Sequence, residues 1–218
     1  DDDDIPPVAR PDPAELAFDL ERALTSVVTV RTEVPEDAFT APILGTERQG
    51  NGVVIGPKGL VLTIGYLITE AEKVWVTTQR GGAAPGHVLA YDQATGFGLV
   101  QALAPLNVPA MPLGRSDELD VGQGVIVTGG RGRRDSLSAR VVARHPFAGY
   151  WEYYLDAAVF TAPAHPRWGG AACIGPDGRL VGIGSLLVQE AARGARGGAQ
   201  RAAGDQGGHR RSSVGSGC

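Results

Sequence analysis

At 218 residues the chain is long enough for one large or two small domains with a real buried core. Its formal net charge of -4 carries no basic footprint for nucleic acid, and no apolar run reaches the roughly 18 residues that a membrane span needs. The 32 glycines and 15 prolines punctuate many short apolar runs, the pattern of an all-β sandwich or barrel rather than of a helical protein.

In chain order, residues 1–12 form an acidic, Pro-rich leader, DDDDIPPVARPD, expected to be extended or disordered. Asp12 or Pro13 opens a predicted helix through Leu24, with Leu16, Phe18, Leu20 and Leu24 on its apolar face and Pro13 suited to the first turn. Ser26 to Thr32 alternates like a strand, and Glu33 to Arg48 reads as loop. Gly50 to Leu62, GNGVVIGPKGLVL, is a strand, turn and strand, followed by strands at Val74 to Thr78 and Gly86 to Tyr91. Val125 to Thr128, Ser138 to Arg144 and Tyr150 to Phe160 continue the series. Ala171 to Ile174 and Leu180 to Ile183 flank GPDG, whose Pro, Asp and Gly suit a tight turn, so a hairpin is expected.

After Val188 the large apolar residues and the periodicity end, and residues 189–218 read as a disordered tail. Because 18 of the 20 basic residues are arginine, as in a GC-rich gene, a shifted reading frame is the sharper explanation of that tail. The first residue is Asp rather than Met, which leaves room for a removed signal or anchor. Cys173, inside a predicted strand, and Cys218 make no disulfide framework. His87, His145, His165 and His209 have no ligand spacing, so neither a metal nor another cofactor is implied.

Four of these frames resemble the HtrA/Deg branch of the chymotrypsin-fold serine proteases. Residues 166–187 resemble P-G-N-S-G-G-P-L followed by a D-G turn and V-I-G-I: Pro166 takes the Pro, Arg167 and Trp168 the Gly and Asn, Gly169 the serine and Gly170 the next glycine. Asp177, Gly178, Gly182 and Ile183 then fall into register, whereas a one-residue shift would put Trp168 at the serine and open a gap. Gly50 to Thr63 resembles G-S-G-F-I-I-D-P-D-G-Y-I-L-T, and the following TIGYLI places Tyr66 at the catalytic histidine. DQATGFGLV resembles D-P-R-T-D-L-A-V-L, with Gly96 at the histidine-orienting aspartate and Asp92 as a turn residue. AMPLGRSDELDV resembles the segment that joins the family's two barrels. Between Asp156 and Gly169 the chain has five more residues than the family pattern, an insertion beside the site.

The resemblance implies two six-stranded antiparallel β-barrels, a chymotrypsin-like double barrel, with residues 13–109 holding the helix and first barrel and 110–188 the second. A triad protease needs a hydroxyl to attack, an imidazole to take its proton and a carboxylate to orient the imidazole. Gly169 and Gly96 offer no side chain, and Tyr66, with an ordinary pKa of about 10, is a poor base at neutral pH. Arg167 replaces the oxyanion-hole glycine, whose backbone conformation an arginine resists. Ser116, Ser136, Ser138 and Ser185 have no histidine beside them in sequence.

The expected function is therefore an inactive protease homologue that binds a peptide or protein by strand addition, with Trp168, Gly170, Trp151 and Tyr153 as candidate contacts. Tyr150 and Tyr154 belong to the same aromatic group, of which strand alternation sends two members into the core. The alternatives are an active HtrA-like endopeptidase with a rearranged site and a scaffold that uses its outer surface. The family's usual location is periplasmic, secreted or envelope-associated.

Overall fold

The computed structural model describes residues 4–148, 154–187 and 216–217. Six strands form a closed antiparallel barrel in the order β1-β2-β3-β6-β5-β4: β1 Val27–Glu33, β2 Glu47–Gly56, β3 Leu60–Ile64, β4 Lys73–Thr78, β5 Ala83–Tyr91 and β6 Phe97–Ala102. Their inward positions carry valines, which suit extended backbone because branching at Cβ restricts χ1 there at little cost. Val28, Val30, Val54, Val61, Val76 and Val100 are all buried there.

The second half of the chain forms one sheet, in the order β11-β10-β7-β8-β9-β13-β12: β7 Gly124–Thr128, β8 Ser136–Ala148, β9 Tyr154–Ala162, β10 Ala172–Ile174, β11 Leu180–Ile183, β12 Leu186–Leu187 and β13 Ser216–Gly217. Among the described residues this sheet does not close, so the expected second barrel is a half-barrel. The outer edge of β11 is already taken by the linker: the Leu180 N–H donates to Pro112 O at 2.9 Å and the Gly114 N–H to Leu180 O at 2.7 Å. The expected GPDG hairpin forms between β10 and β11, with the Gly178 N–H donating to Gly175 O. Of the tail expected to be disordered, Ser216 and Gly217 are strand residues between β9 and β12, and the remainder lies outside the described residues.

The helix expected from Pro13 to Leu24 is instead two pieces, a 3-10 turn at Pro13–Glu15 and a short helix α1 at Leu20–Thr25. Asp12 and Asp19 each cap a piece, accepting from Ala14 N and Arg22 N at 3.0 Å. Between them Phe18 lies against the backbone of Gly178, where even one added carbon would stand 2.6 Å from its ring. A continuous helix would lift that ring away from the hairpin turn. The stretch expected to be all loop contains a helical turn, α2 Ala41–Leu44, with Pro42 near its start, where the missing N–H costs nothing.

Barrel and sheet are pinned together at Asn51, which is 4% exposed. Its N–H donates to Gly169 O at 2.9 Å, its Nδ2 to Arg167 O at 3.0 Å and Gly169 O at 3.2 Å, and its Oδ1 accepts from Gly130 N at 2.9 Å. Gly170 makes this approach possible: it is buried at φ +72°, and a Cβ there would overlap the Asn51 carbonyl. Asn51→Ala is expected to cost about 2–4 kcal/mol, because it strands a buried N–H and removes the clamp's donor. Urea unfolding followed by fluorescence measures this, and a loss below about 0.5 kcal/mol would contradict it.

Candidate functional site

Tyr66 stands on α3, the single helical turn Gly65–Ile68 that follows β3. The turn is held at both ends: the Gly65 N–H donates to Gly96 O at 2.7 Å, and the Thr69 N–H donates to Gly65 O at 3.0 Å. Arg48, only 5% exposed, braces it from below by donating to Tyr66 O at 2.8 Å, Thr69 O at 2.9 Å, Gly45 O at 3.1 Å and Thr40 Oγ1 at 2.7 Å. Five N–H donors in a rigid fork let one arginine tie the α2 loop to α3.

Tyr66 and Gly169 meet. A Cβ built on Gly169 would stand 2.6 Å from Tyr66 Oη, so the phenol occupies the room a side chain at 169 would need. Gly96 lies against the residue preceding Tyr66, through its carbonyl, at the end of a turn organised by Asp92. There Asp92 Oδ1 accepts from Ala94 N at 3.1 Å, Oδ2 from Thr95 Oγ1 at 2.6 Å, and the Asp92 carbonyl from Gly96 N at 2.8 Å. Gly96 has φ +77°, a conformation that an aspartate adopts only with strain.

A cleft of about 530 Å³ opens between barrel and sheet, lined by Thr29, Gln49 and Tyr66 on one side and Arg131, Arg167 and Trp168 on the other. Trp168 is half-buried, and its carbonyl accepts from Ala171 N at 2.9 Å. Gly170 is buried beneath Asn51 rather than facing the cleft. Trp151 and Tyr153 lie outside the described residues, while Tyr154 is 57% exposed at the start of β9.

Under the cleft lies a buried polar cluster. Arg167 Nε donates to Asp135 Oδ1 at 3.0 Å, and its Nη2 makes a second, shorter bond to the same oxygen. Asp135 is 1% exposed and His165 fully buried. His165 Nδ1 accepts from Arg167 N at 3.0 Å, so its proton sits on Nε2, which donates to Asp135 O at 2.8 Å. The ring is neutral in this arrangement. Burial pushes its pKa below the ordinary 6.5, against the opposing pull of the Asp135 carbonyl and carboxylate. The Arg167 N–H is thus already given to His165.

Asn51, Asp135 and Arg48 were not among the sequence-derived candidates, and His165 read there as a lone histidine. The available signal was Arg167 itself: an arginine replacing a glycine beside a buried turn requires a carboxylate partner. Among the described residues no three His, Cys, Asp or Glu side chains gather as a metal site, and no helix is long and apolar enough to cross a membrane.

A closed six-stranded barrel facing a half-barrel across such a cleft is a chymotrypsin-like fold. The family described as the trypsin-like peptidase domain matches residues 50–183, and the chain belongs to it. Its relatives are HtrA-like serine proteases. It is 26% identical over 192 residues to the periplasmic pH-dependent serine endoprotease DegQ of Escherichia coli, covering 79% of this chain and 42% of DegQ. It is 26% identical over 185 residues to a serine protease HtrA-like protein of Staphylococcus epidermidis, covering 77% of this chain and 32% of that one. The solved HtrA-type protease AlgW with tripeptide superposes with a TM-score of 0.67 at 20% identity, over 91% of this chain and 57% of that one. The chain spans half or less of the length of these curated relatives.

His165 sets a pH limit on stability. Its folded pKa is depressed, so the neutral ring's contribution is complete above the unfolded value of 6.5 and is lost as pH falls below it, because the unfolded chain takes the proton first. Urea unfolding at pH 7.5 and 5.5 should show stability lost to this group at the lower pH. In His165→Gln that share of the slope should disappear, and an unchanged slope would refute the assignment.

Proposed function

We propose that the chain is a catalytically inactive HtrA-like domain that holds an extended peptide in the cleft between barrel and sheet. The observation that carries this reading is the contact of Tyr66 Oη with the backbone of Gly169, where a nucleophile's side chain would stand. Three further features support it. No imidazole occupies position 66, Gly96 has a backbone unsuited to aspartate, and the Arg167 N–H is spent on His165. Losing triad members costs on the order of a million-fold in turnover. Ser136 is a poor substitute nucleophile, because it is buried, with Thr128 Oγ1 at 2.8 Å and its own Oγ donating to Gly132 O.

Peptide binding is supported by the shape of the cleft and by the solved relative described with a tripeptide. An extended ligand would pair with exposed backbone, and Trp168 would supply its apolar anchor. The similarity to DegQ, a periplasmic endoprotease, supports a periplasmic or otherwise envelope-associated location.

The purified chain should hydrolyse neither casein nor fluorogenic peptides above the buffer rate and should not be labelled by a serine-directed phosphonate. Gly169→Ser alone should not restore labelling, because position 66 offers no imidazole to take the serine's proton and the new Cβ must first displace the phenol 2.6 Å away. Fluorescein-labelled unstructured decapeptides should bind by polarisation, and Trp168→Ala should weaken them about tenfold or more, as expected of an aromatic anchor. Phosphonate-sensitive hydrolysis would overturn the inactive reading, and absence of any peptide binding would overturn the cleft.

A further inference from the structure

We infer that the ligand of this cleft is an acidic peptide, and that the chain's own leader competes for the arginine that recognises it. The inference rests on the peptide-binding reading and names the chemistry of its ligand. Among the described residues lining the cleft, two guanidiniums, Arg131 and Arg167, face a single carboxylate, Asp135. Two bonds tie the Arg167 side chain to Asp135 Oδ1. The other oxygen, Oδ2, is buried without a hydrogen bond and forms only a long ion pair with Arg131 Nε at 3.8 Å. Of these described side chains, the two arginines outnumber the carboxylate by one, and Arg131 is the more exposed and less tightly paired of the two. A partly walled cleft focuses that field outward.

What meets Arg131 here is Asp4, with Oδ1 at 3.3 Å from Nη2. The leader reaches it by design of the neighbouring residues. Ile5 is 2% exposed, its carbonyl accepts from Arg10 Nε at 2.9 Å, and Pro7, Arg10, Pro11 and Asp12 line a hollow with Arg133. The leader thus lies along the turn Arg131-Gly132-Arg133-Arg134, in which three of four residues are arginines, all exposed. In sequence Asp4 is preceded by three more aspartates. Complementary charge runs along both segments.

The contact is built to yield. Asp4 and Arg131 are each 46% exposed, and pairs of that exposure contribute at most about 1 kcal/mol. Being tethered, the leader acts at a high effective concentration, so it holds the site against weak ligands and gives way to a peptide that adds backbone and Trp168 contacts to the same carboxylate interaction.

Fluorescence polarisation with three labelled decapeptides of one sequence, carrying Glu, Gln or Lys at the variable positions, tests this on the full chain. The Glu peptide should bind about fivefold tighter than the Gln peptide at low salt, the scale of one exposed charge pair, and the Lys peptide weakest. Asp4→Asn should raise affinity for the Glu peptide about threefold and leave the Gln peptide unchanged. Arg131→Gln should abolish both differences, whereas Arg131→Lys, which keeps the charge, should retain most of the preference. Thermal melts of the variants should match the parent, as Arg131 is exposed. Equal binding of all three peptides, still dependent on Trp168, would overturn the acidic preference while leaving the cleft reading intact. Binding of none would overturn both.

Discussion

Barrel and sheet have few backbone bonds in common, and the ones that matter converge on Asn51. Its side chain is both donor and acceptor, so it can give to the Arg167 and Gly169 carbonyls while taking from the Gly130 N–H. A serine, which stands at this place in the G-S-G pattern of the HtrA/Deg family, has one oxygen on a shorter arm and cannot span the same three groups. Its carbonyl also accepts from Thr63 Oγ1 at 2.6 Å, which fastens the end of β3 just before α3. The residue that joins the two halves therefore also sets where Tyr66 enters the cleft and where the 167–169 segment forms its wall.

That wall has a different electrostatic character from one built around an oxyanion hole. An oxyanion hole aims backbone N–H dipoles at the oxygen on which charge develops. Here an arginine side chain is laid under the segment instead, and its charge demands a buried carboxylate, which the 3-10 turn Gly132–Asp135 supplies. Asp135 in turn needs its carbonyl satisfied, and His165 does so while accepting the Arg167 N–H. Each member answers a polar need of another, and Asp135 Oδ2, which has no hydrogen bond, is left to its ion pair with Arg131. The cleft wall thus carries the arginine side chains of Arg131 and Arg167.

The barrel was legible because its strands alternate, and alternation is a one-dimensional pattern: Val28, Val30 and Thr32 face in, whatever lies across the sheet. The GPDG hairpin was legible for the same local reason. The open edge of the second sheet was not, because closure depends on which segment reaches β11 first, and Pro112 to Gly114 do so from 66 or more residues away in sequence. The break before Asp19 was hidden by a run of apolar residues that suits a helix until Phe18 is drawn onto Gly178. Within the site, positions 66, 96 and 169 could be numbered from motif frames. Asp135 and Asn51 could not, since their roles come from partners 32 and 116 residues distant.

On the proposed reading, inactivity is a property of the packing rather than of one missing atom. Tyr66 is large where Gly169 is small, and a side chain at 169 finds room only if the phenol swings aside or position 66 shrinks. Gly96 has moved into a left-handed turn that a carboxylate-bearing residue enters at a cost. Arg167 could revert to glycine only by leaving Asp135 and His165 with unmet needs in the interior. The three constraints lie on different segments, so a substitution at one leaves the other two in place. On that same reading, a cleft released from catalysis serves recognition instead, and Arg131 and Arg167 on its wall are the groups proposed to do so.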